Sequence, residues 1–255
     1  MTTKIGAATI ALAAGLAPAT AAPPAQAPQA SAALKTAAAQ CFGKQPVGWQ
    51  QMVAACTVLI NEPRISPADK AGAFYNRGAA QMRLGQGPKA FGDFNDALKL
   101  KPDFGRALQM RAGIYASQGK LDLAIKDLDK AILIEPGSSS AYNNRGMAYL
   151  GKKDTKKAIA DLTKAIELEP GDAPSYSARG SAYLAAGDKQ KAMVDLNKAI
   201  ELDPKYSVAI YNRGALHLSN GDKEKAKADF EAVLAAIPDH KEAKEGLAAL
   251  AKIGK

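Results

Sequence analysis

Residues 139–172 read SSAYNNRGMAYLGKKDTKKAIADLTKAIELEPGD, and residues 173–206 read APSYSARGSAYLAAGDKQKAMVDLNKAIELDPKY. Laid one beneath the other, they set Tyr142 over Tyr176, Arg145 over Arg179, Gly146 over Gly180, Ala158 over Ala192, Asp161 over Asp195 and Pro170 over Pro204. The same step of 34 residues runs without a gap from Ala71 to His240, and gives five units that begin at Ala71, Gly105, Ser139, Ala173 and Ser207. A fixed period of this length marks an array of stacked supersecondary units, none of which can bury its own apolar face alone.

Each unit carries two helical stretches. A turn marked by Gly85, Gly119, Gly187 or Gly221 separates them, and Pro102, Pro136, Pro170, Pro204 or Pro238 closes the second. Proline lacks an amide hydrogen and crowds the preceding turn, so it stops a helix at the same place each time. Small residues hold the eighth position (Gly78, Ala112, Gly146, Gly180, Gly214) and the twentieth (Ala90, Ala124, Ala158, Ala192, Ala226). Large apolar residues hold the fourth (Phe74, Leu108, Tyr142, Tyr176, Ile210) and the twenty-fourth (Phe94, Leu128, Leu162, Leu196, Phe230). Small against small lets two helices approach, and the large residues interlock between them.

This pattern of an aromatic, a small residue four on, tyrosine, alanine, a bulky apolar residue and a closing proline resembles the tetratricopeptide repeat. The resemblance implies an all-α solenoid, a right-handed superhelix of five to six helical hairpins, with partners held along the concave face formed by the first helices. One departure is consistent: Arg77, Arg111, Arg145, Arg179 and Arg213 stand where that family usually has leucine. The five units are residues 71–104, 105–138, 139–172, 173–206 and 207–240.

Upstream, residues 33–70 read as a degenerate hairpin with a shortened first helix, a loop from Gly43 to Gly48 and a second helix from Trp49 to Leu59. Cys41 and Cys56 are the only cysteines. A disulfide between them is the expected pairing in an oxidising compartment, with two separate buried thiols as the alternative. Downstream, residues 241–255 read as a capping helix with Ala243, Leu247, Leu250 and Ile253 on one side. At the start, Lys4 precedes an uncharged apolar run from Ile5 to Ala17, too short for a membrane span, and small residues follow at Ala19 and Ala21. Residues 1–21 are therefore expected to be a signal peptide for the bacterial periplasm, and residues 22–32, rich in alanine, proline and glutamine, a flexible linker.

Asp93, Asp127, Asp161, Asp195 and Asp229 follow the arginine column by sixteen residues each. A structural ladder of ion pairs is the expected role, because a buried charge is rarely left without a partner and the guanidinium fork suits a carboxylate; a site for an anionic ligand is the alternative. The positions that the resemblance places on the concave face are Tyr75, Met82, Arg83, Arg106, Gln109, Asn143, Met147, Leu150, Ser177, Ser181, Leu184, Tyr211 and Leu218. That lining mixes apolar and polar side chains and lacks the repeated lysine and asparagine with which some family members clamp a C-terminal carboxylate. Lys89, Lys157, Lys191, Lys225, Lys130, Lys164 and Lys198 form a convex ridge, whose contact with anionic lipid or glycan is the second functional reading, although carboxylates are interspersed. Formal charge is +9, but a basic stretch interleaved with aromatics is absent, which disfavours nucleic acid. The two histidines, His217 and His240, have no triad or metal companion at an informative spacing. The expectation is a scaffold for a protein or peptide partner, with no catalytic residue, metal or cofactor.

Overall fold

A computed structural model describes residues 28–253. Among these residues there are thirteen α-helices and no strand: α1 (Pro28–Cys41), α2 (Trp49–Asn61), α3 (Pro67–Arg83), α4 (Gly87–Leu100), α5 (Gly105–Ser117), α6 (Leu121–Ile134), α7 (Ser139–Gly151), α8 (Thr155–Leu168), α9 (Ala173–Ala185), α10 (Lys189–Leu202), α11 (Ser207–Ser219), α12 (Lys223–Ala236) and α13 (Lys241–Ile253). The segment expected to be a signal peptide lies outside the described residues.

Several helix starts are fixed by side-chain caps, although Asp222 at the start of α12 turns its carboxylate to His217 instead. Ser66 accepts from the Asp69 amide at 3.0 Å, Asp154 from Lys157 at 3.2 Å, Asp172 from Ser175 at 3.0 Å and Asp188 from Lys191 at 3.0 Å. Each satisfies an amide that the first turn leaves without a helical partner. The turn inside each hairpin needs a left-handed residue. Gly85, Gly119, Gly187 and Gly221 supply it with φ between 71° and 84°, while the turn after α7 uses Lys153 at φ 62°, where a Cβ crowds its own backbone.

Every hairpin is closed tightly by its eighth-position residue. A Cβ on Gly146 would lie 2.7 Å from Leu162 Cγ and 3.2 Å from the Ala158 carbonyl oxygen. Phe94, Leu128, Leu162, Leu196 and Phe230 are all buried between the two helices. Consecutive hairpins share the core, so that Ala97 and Leu98 of α4 join Leu108, Leu128 and Ala141 of the next two units. The first helices α5, α7, α9, α11 and α13 touch their successors in turn, and the second helices make no comparable contact with one another. The array therefore curves with the first helices on its inner side.

At the N-terminal end the structure corrects two helix starts and one helix length. Helix α1 starts at Pro28, so residues 28–32 of the expected linker are helical; the alanine-rich run that follows has the propensity to carry a helix back through them. With 14 residues α1 is not shortened relative to the 13-residue first helices of the later hairpins. The four extra residues of this region, Pro67 to Lys70, add a turn to the front of α3, which Ser66 caps. Cys41 and Cys56 face each other across α1 and α2 with Cα atoms 4.8 Å apart, within the span of a disulfide. At the other end Ala243 is fully buried, and Leu247 and Leu250 pack with it against Ile210, Ala226 and Phe230.

Candidate partner-binding face

Each arginine of the seventh position reaches from a first helix to the second helix of its own hairpin. Arg77 grips Asp93 through Nε at 2.8 Å and Nη2 at 2.7 Å, and Arg111–Asp127, Arg145–Asp161, Arg179–Asp195 and Arg213–Asp229 repeat the two-pronged geometry at 2.7–2.9 Å. The third donor, Nη1, reaches back one hairpin to Thr57, Asn95, Asp129, Thr163 and Asn197 in turn. The aspartates are buried. The arginines' pKa values lie above the ordinary guanidinium value, chiefly through these hydrogen bonds and against the opposing cost of burial. Three guanidinia also lie over the fourth-position ring three residues back, at 5.4 Å from Phe74, 5.5 Å from Tyr142 and 5.7 Å from Tyr176. Nε, Nη1 and Nη2 of every ladder arginine are thus each committed to at least one bond inside the fold, which is the structural role expected of the column. The back-reaching partners escaped the sequence reading, although Asn95, Asp129, Thr163 and Asn197 recur at the 34-residue step.

The residues expected on the concave face fall into three groups. Met82, Arg83, Arg106 and Met147 are exposed, Met147 to 48%. Tyr75, Leu150, Leu184, Tyr211 and Leu218 are half-buried, each with one side packed into a core cluster. Gln109, Asn143 and Ser181 form a polar floor that ties neighbouring first helices together, while the buried Ser177 hydroxyl makes no hydrogen bond across it. Gln109 donates to Ser138 at 3.2 Å and accepts from Ser140 at 2.9 Å; Asn143 donates to Ser175 at 2.8 Å; Ser181 donates to the Ser177 carbonyl at 3.0 Å and accepts from Asn212 at 3.1 Å. Ser177 is a correction: it is only 2% exposed, because its short side chain sinks below its neighbours, and it is not available to a partner. Asn212, one position after the chosen column, belongs to the floor and was missed.

Two cavities open on this layer. One of about 250 Å³ is lined by Ala112, Gly113, Ala116, Leu121, Leu128, Asn144, Met147 and Ala148, and has the size and lining for one apolar side chain. The other, about 320 Å³, lies where Phe42, Tyr75, Phe104 and Arg106 meet Asp69, Gly72 and Asn76. Tyr75 contacts Phe104 with ring centroids 5.0 Å apart, and the Arg106 guanidinium sits 5.7 Å from the centre of the Tyr75 ring. His217 donates from Nδ1 to the Asp222 carboxylate at 3.2 Å and packs inside its hairpin; His240 lies against Tyr211 at 5.1 Å between ring centroids. Among the described residues no cluster of His, Cys, Asp and Glu is arranged to hold a metal ion, and no helix is long and apolar enough to cross a membrane.

A curved array of helical hairpins with an open, sparsely charged inner layer is the architecture of a helical-repeat interaction protein. The chain belongs to the tetratricopeptide-repeat family: sequence models of that repeat match residues 75–141, 139–172, 173–206 and 196–228. Solved structures agree on the fold. A thermophilic repeat protein of Thermus thermophilus is 22% identical, with 71% of this chain and 98% of that one covered at a TM-score of 0.63. The pilF protein of Pseudomonas aeruginosa is 15% identical, with 86% and 98% covered at 0.69. The YrrB protein, described as having an unusual peptide-binding site, is 21% identical, with 76% and 97% covered at 0.55. At these identities the likeness is one of fold. No curated protein matches the chain. The repeats and their structural relatives mark a protein-interaction scaffold, a fold typical of proteins without catalytic activity.

Proposed function

We propose that this chain is an exported scaffold that holds a peptide or protein segment along the layer of first helices, in the periplasm of a bacterial envelope. One observation carries the reading. In α7, α9 and α11 the only lysine, arginine, aspartate or glutamate is the ladder arginine, Arg145, Arg179 or Arg213, and each is already held by its aspartate. The outer helices α4, α6, α8, α10 and α12, by contrast, carry four to six charged residues each. A layer without free charge, showing Met147, Leu150, Leu184, Tyr211 and Leu218 at its surface, has apolar contact area to give and little hydration to lose on binding.

Export rests on the sequence from Lys4 to Ala21 and on the placement of Cys41 opposite Cys56, a pairing that belongs to an oxidising compartment. The second reading, an anionic lipid or glycan held by the outer lysines, is the weaker one. Four of the seven ridge lysines already have a carboxylate within 3.2 Å: Lys157 with Asp154, Lys164 with Glu167, Lys191 with Asp188 and Lys198 with Glu201.

The test uses a photo-crosslinking residue placed at Leu184 on the inner layer or at Lys164 on the outer one, in cells, with N-terminal sequencing of the protein recovered from the periplasmic fraction. A discrete adduct from position 184, absent from position 164, on a chain that begins near Ala22 is the expected result. Adducts from 164 alone, lost in moderate salt, would transfer the function to the lysine ridge.

A further inference from the structure

The charge that is missing from the middle of the inner layer reappears at its two ends with opposite sign. At the N-terminal end, exposed Arg106 lies over Tyr75 and lines the cavity with Phe42 and Phe104. The carboxylate in that cavity lining, Asp69, accepts the hydroxyl of the α3 cap Ser66 at 2.7 Å. At the C-terminal end α13 completes the layer with Glu242 and Glu245, whose side chains are 60% and 66% exposed. Glu242 lies 3.3 Å from the His240 imidazole, whose ring rests 5.1 Å from the Tyr211 ring of the groove, and Glu245 follows one turn on along the same side of α13; after burial, the larger cause, these two carboxylates help push the Tyr211 hydroxyl above its ordinary pKa. The nearest cations do not cancel them. Lys244 is turned to Asp239 at 3.1 Å, and Lys241 meets Glu245 at 3.9 Å on the open surface, an exchangeable pairing of small worth. His240 Nδ1 lies 3.3 Å from Glu242 and also 3.3 Å from the Ala243 amide, whose proton it accepts when neutral.

Building on the scaffold reading, we propose that this face is polarised and takes its partner in one direction. The occupant is an extended peptide segment with an acidic residue beside a bulky apolar one at the α3/α5 end, and a lysine or arginine at the α11/α13 end. Between them the uncharged floor accepts apolar and small polar side chains. Four helix-to-helix steps separate α5 from α13, and at about 9–10 Å per packed helix the path is roughly 35–40 Å. An extended chain advances about 3.3 Å per residue, so the segment is about a dozen residues long. Charges at the ends of an apolar groove contribute orientation more than affinity, since a reversed peptide meets like charge at both ends.

A displayed library of random peptides of about twelve residues, selected on the full-length chain, tests this. The expected pool is enriched for Asp or Glu with a bulky apolar neighbour at one end and Lys or Arg at the other. A synthetic member should bind about tenfold tighter than the same peptide with its end charges exchanged, and R106E combined with E245K should invert that preference. A pool without charge order, or a synthetic pair of equal affinity whose binding L184K still abolishes, overturns the polarity and leaves the scaffold reading intact. A pool that L184K enriches equally, or no enrichment at all, removes both.

Discussion

In the hairpins from α3/α4 to α11/α12, an arginine on the first helix and an aspartate sixteen residues later hold the two helices together and hand a third hydrogen bond to the hairpin before. The α1/α2 hairpin has neither. Counting from Thr57, which stands where Asn95, Asp129, Thr163 and Asn197 stand later, the two positions are Ala39 and Ala55. Cys56 then occupies the core position of Phe94 and Leu128, and Cys41 faces it from α1. An inner hairpin has neighbours on both sides, and its ion pair is sheltered by them. A terminal hairpin is wet on one face, where an ion pair is weak, so a covalent tie does there what electrostatics does elsewhere.

The comparison is broken hardest by leaving a ladder aspartate alone. Arg179→Met strands Asp195, which is 3% exposed, and is expected to cost about 3–5 kcal/mol in urea unfolding. Adding Asp195→Leu should recover much of that loss, and strict additivity of the two would argue that the pair is not coupled. Next comes the staple. Replacing both cysteines with alanine should cost about 3 kcal/mol, as expected for a closed loop of this size, with faster amide exchange in α1 and α2 and unchanged exchange in α9 and α10. Uniform loss of protection along the whole array would mean that the two ends are not independently tied.

A smaller effect sharpens the comparison within the repeated hairpins. Lys153 holds a left-handed turn where four sister turns have glycine, so Lys153→Gly should raise stability by up to about 1 kcal/mol. An unchanged midpoint would show that the turn tolerates a side chain. The smallest effect is on pH. The Asp154 and Asp188 carboxyls are held below their ordinary range, first by the capped Lys157 and Lys191 amides, so their contribution is fully present above about pH 4 and fades as pH falls through the lowered values. Helix α2, whose N-cap Gly48 offers no side chain, has no such dependence. Asp154→Asn, which keeps an acceptor without the charge, should flatten the acid limb of a stability profile for α7/α8 and leave α1/α2 unmoved; an identical shift in both would sink the assignment.

The sequence announced the fold because the information was written five times. Glycine or alanine at position eight, alanine at twenty and a closing proline leave little freedom in how a hairpin closes, and repetition then dictates stacking. The arginine and aspartate columns were legible for the same reason. The back-reaching Thr57, Asn95, Asp129, Thr163 and Asn197 were harder to see, since three residue types share one role. The site was less legible than the fold. Ser177 was read as exposed from its register, but a side chain this short is covered by longer neighbours, which register alone does not reveal. Asn212 was passed over because it sits one position off the expected column, and it joins the floor only through Ser181 of the previous hairpin.

What the sequence determined by itself is the local rule: where each repeated hairpin turns and where its second helix closes, which faces are apolar, and that every unit needs a neighbour. These depend on spacings of a few residues, which a chain carries without folding. Only the tertiary structure decided which polar groups spend their hydrogen bonds inside the array, that Pro67 to Lys70 extend α3, and that Arg106 and Glu245 come to lie at opposite ends of one surface. Those depend on residues brought together across successive hairpins, and on the side-chain lengths that set which of them reaches the surface.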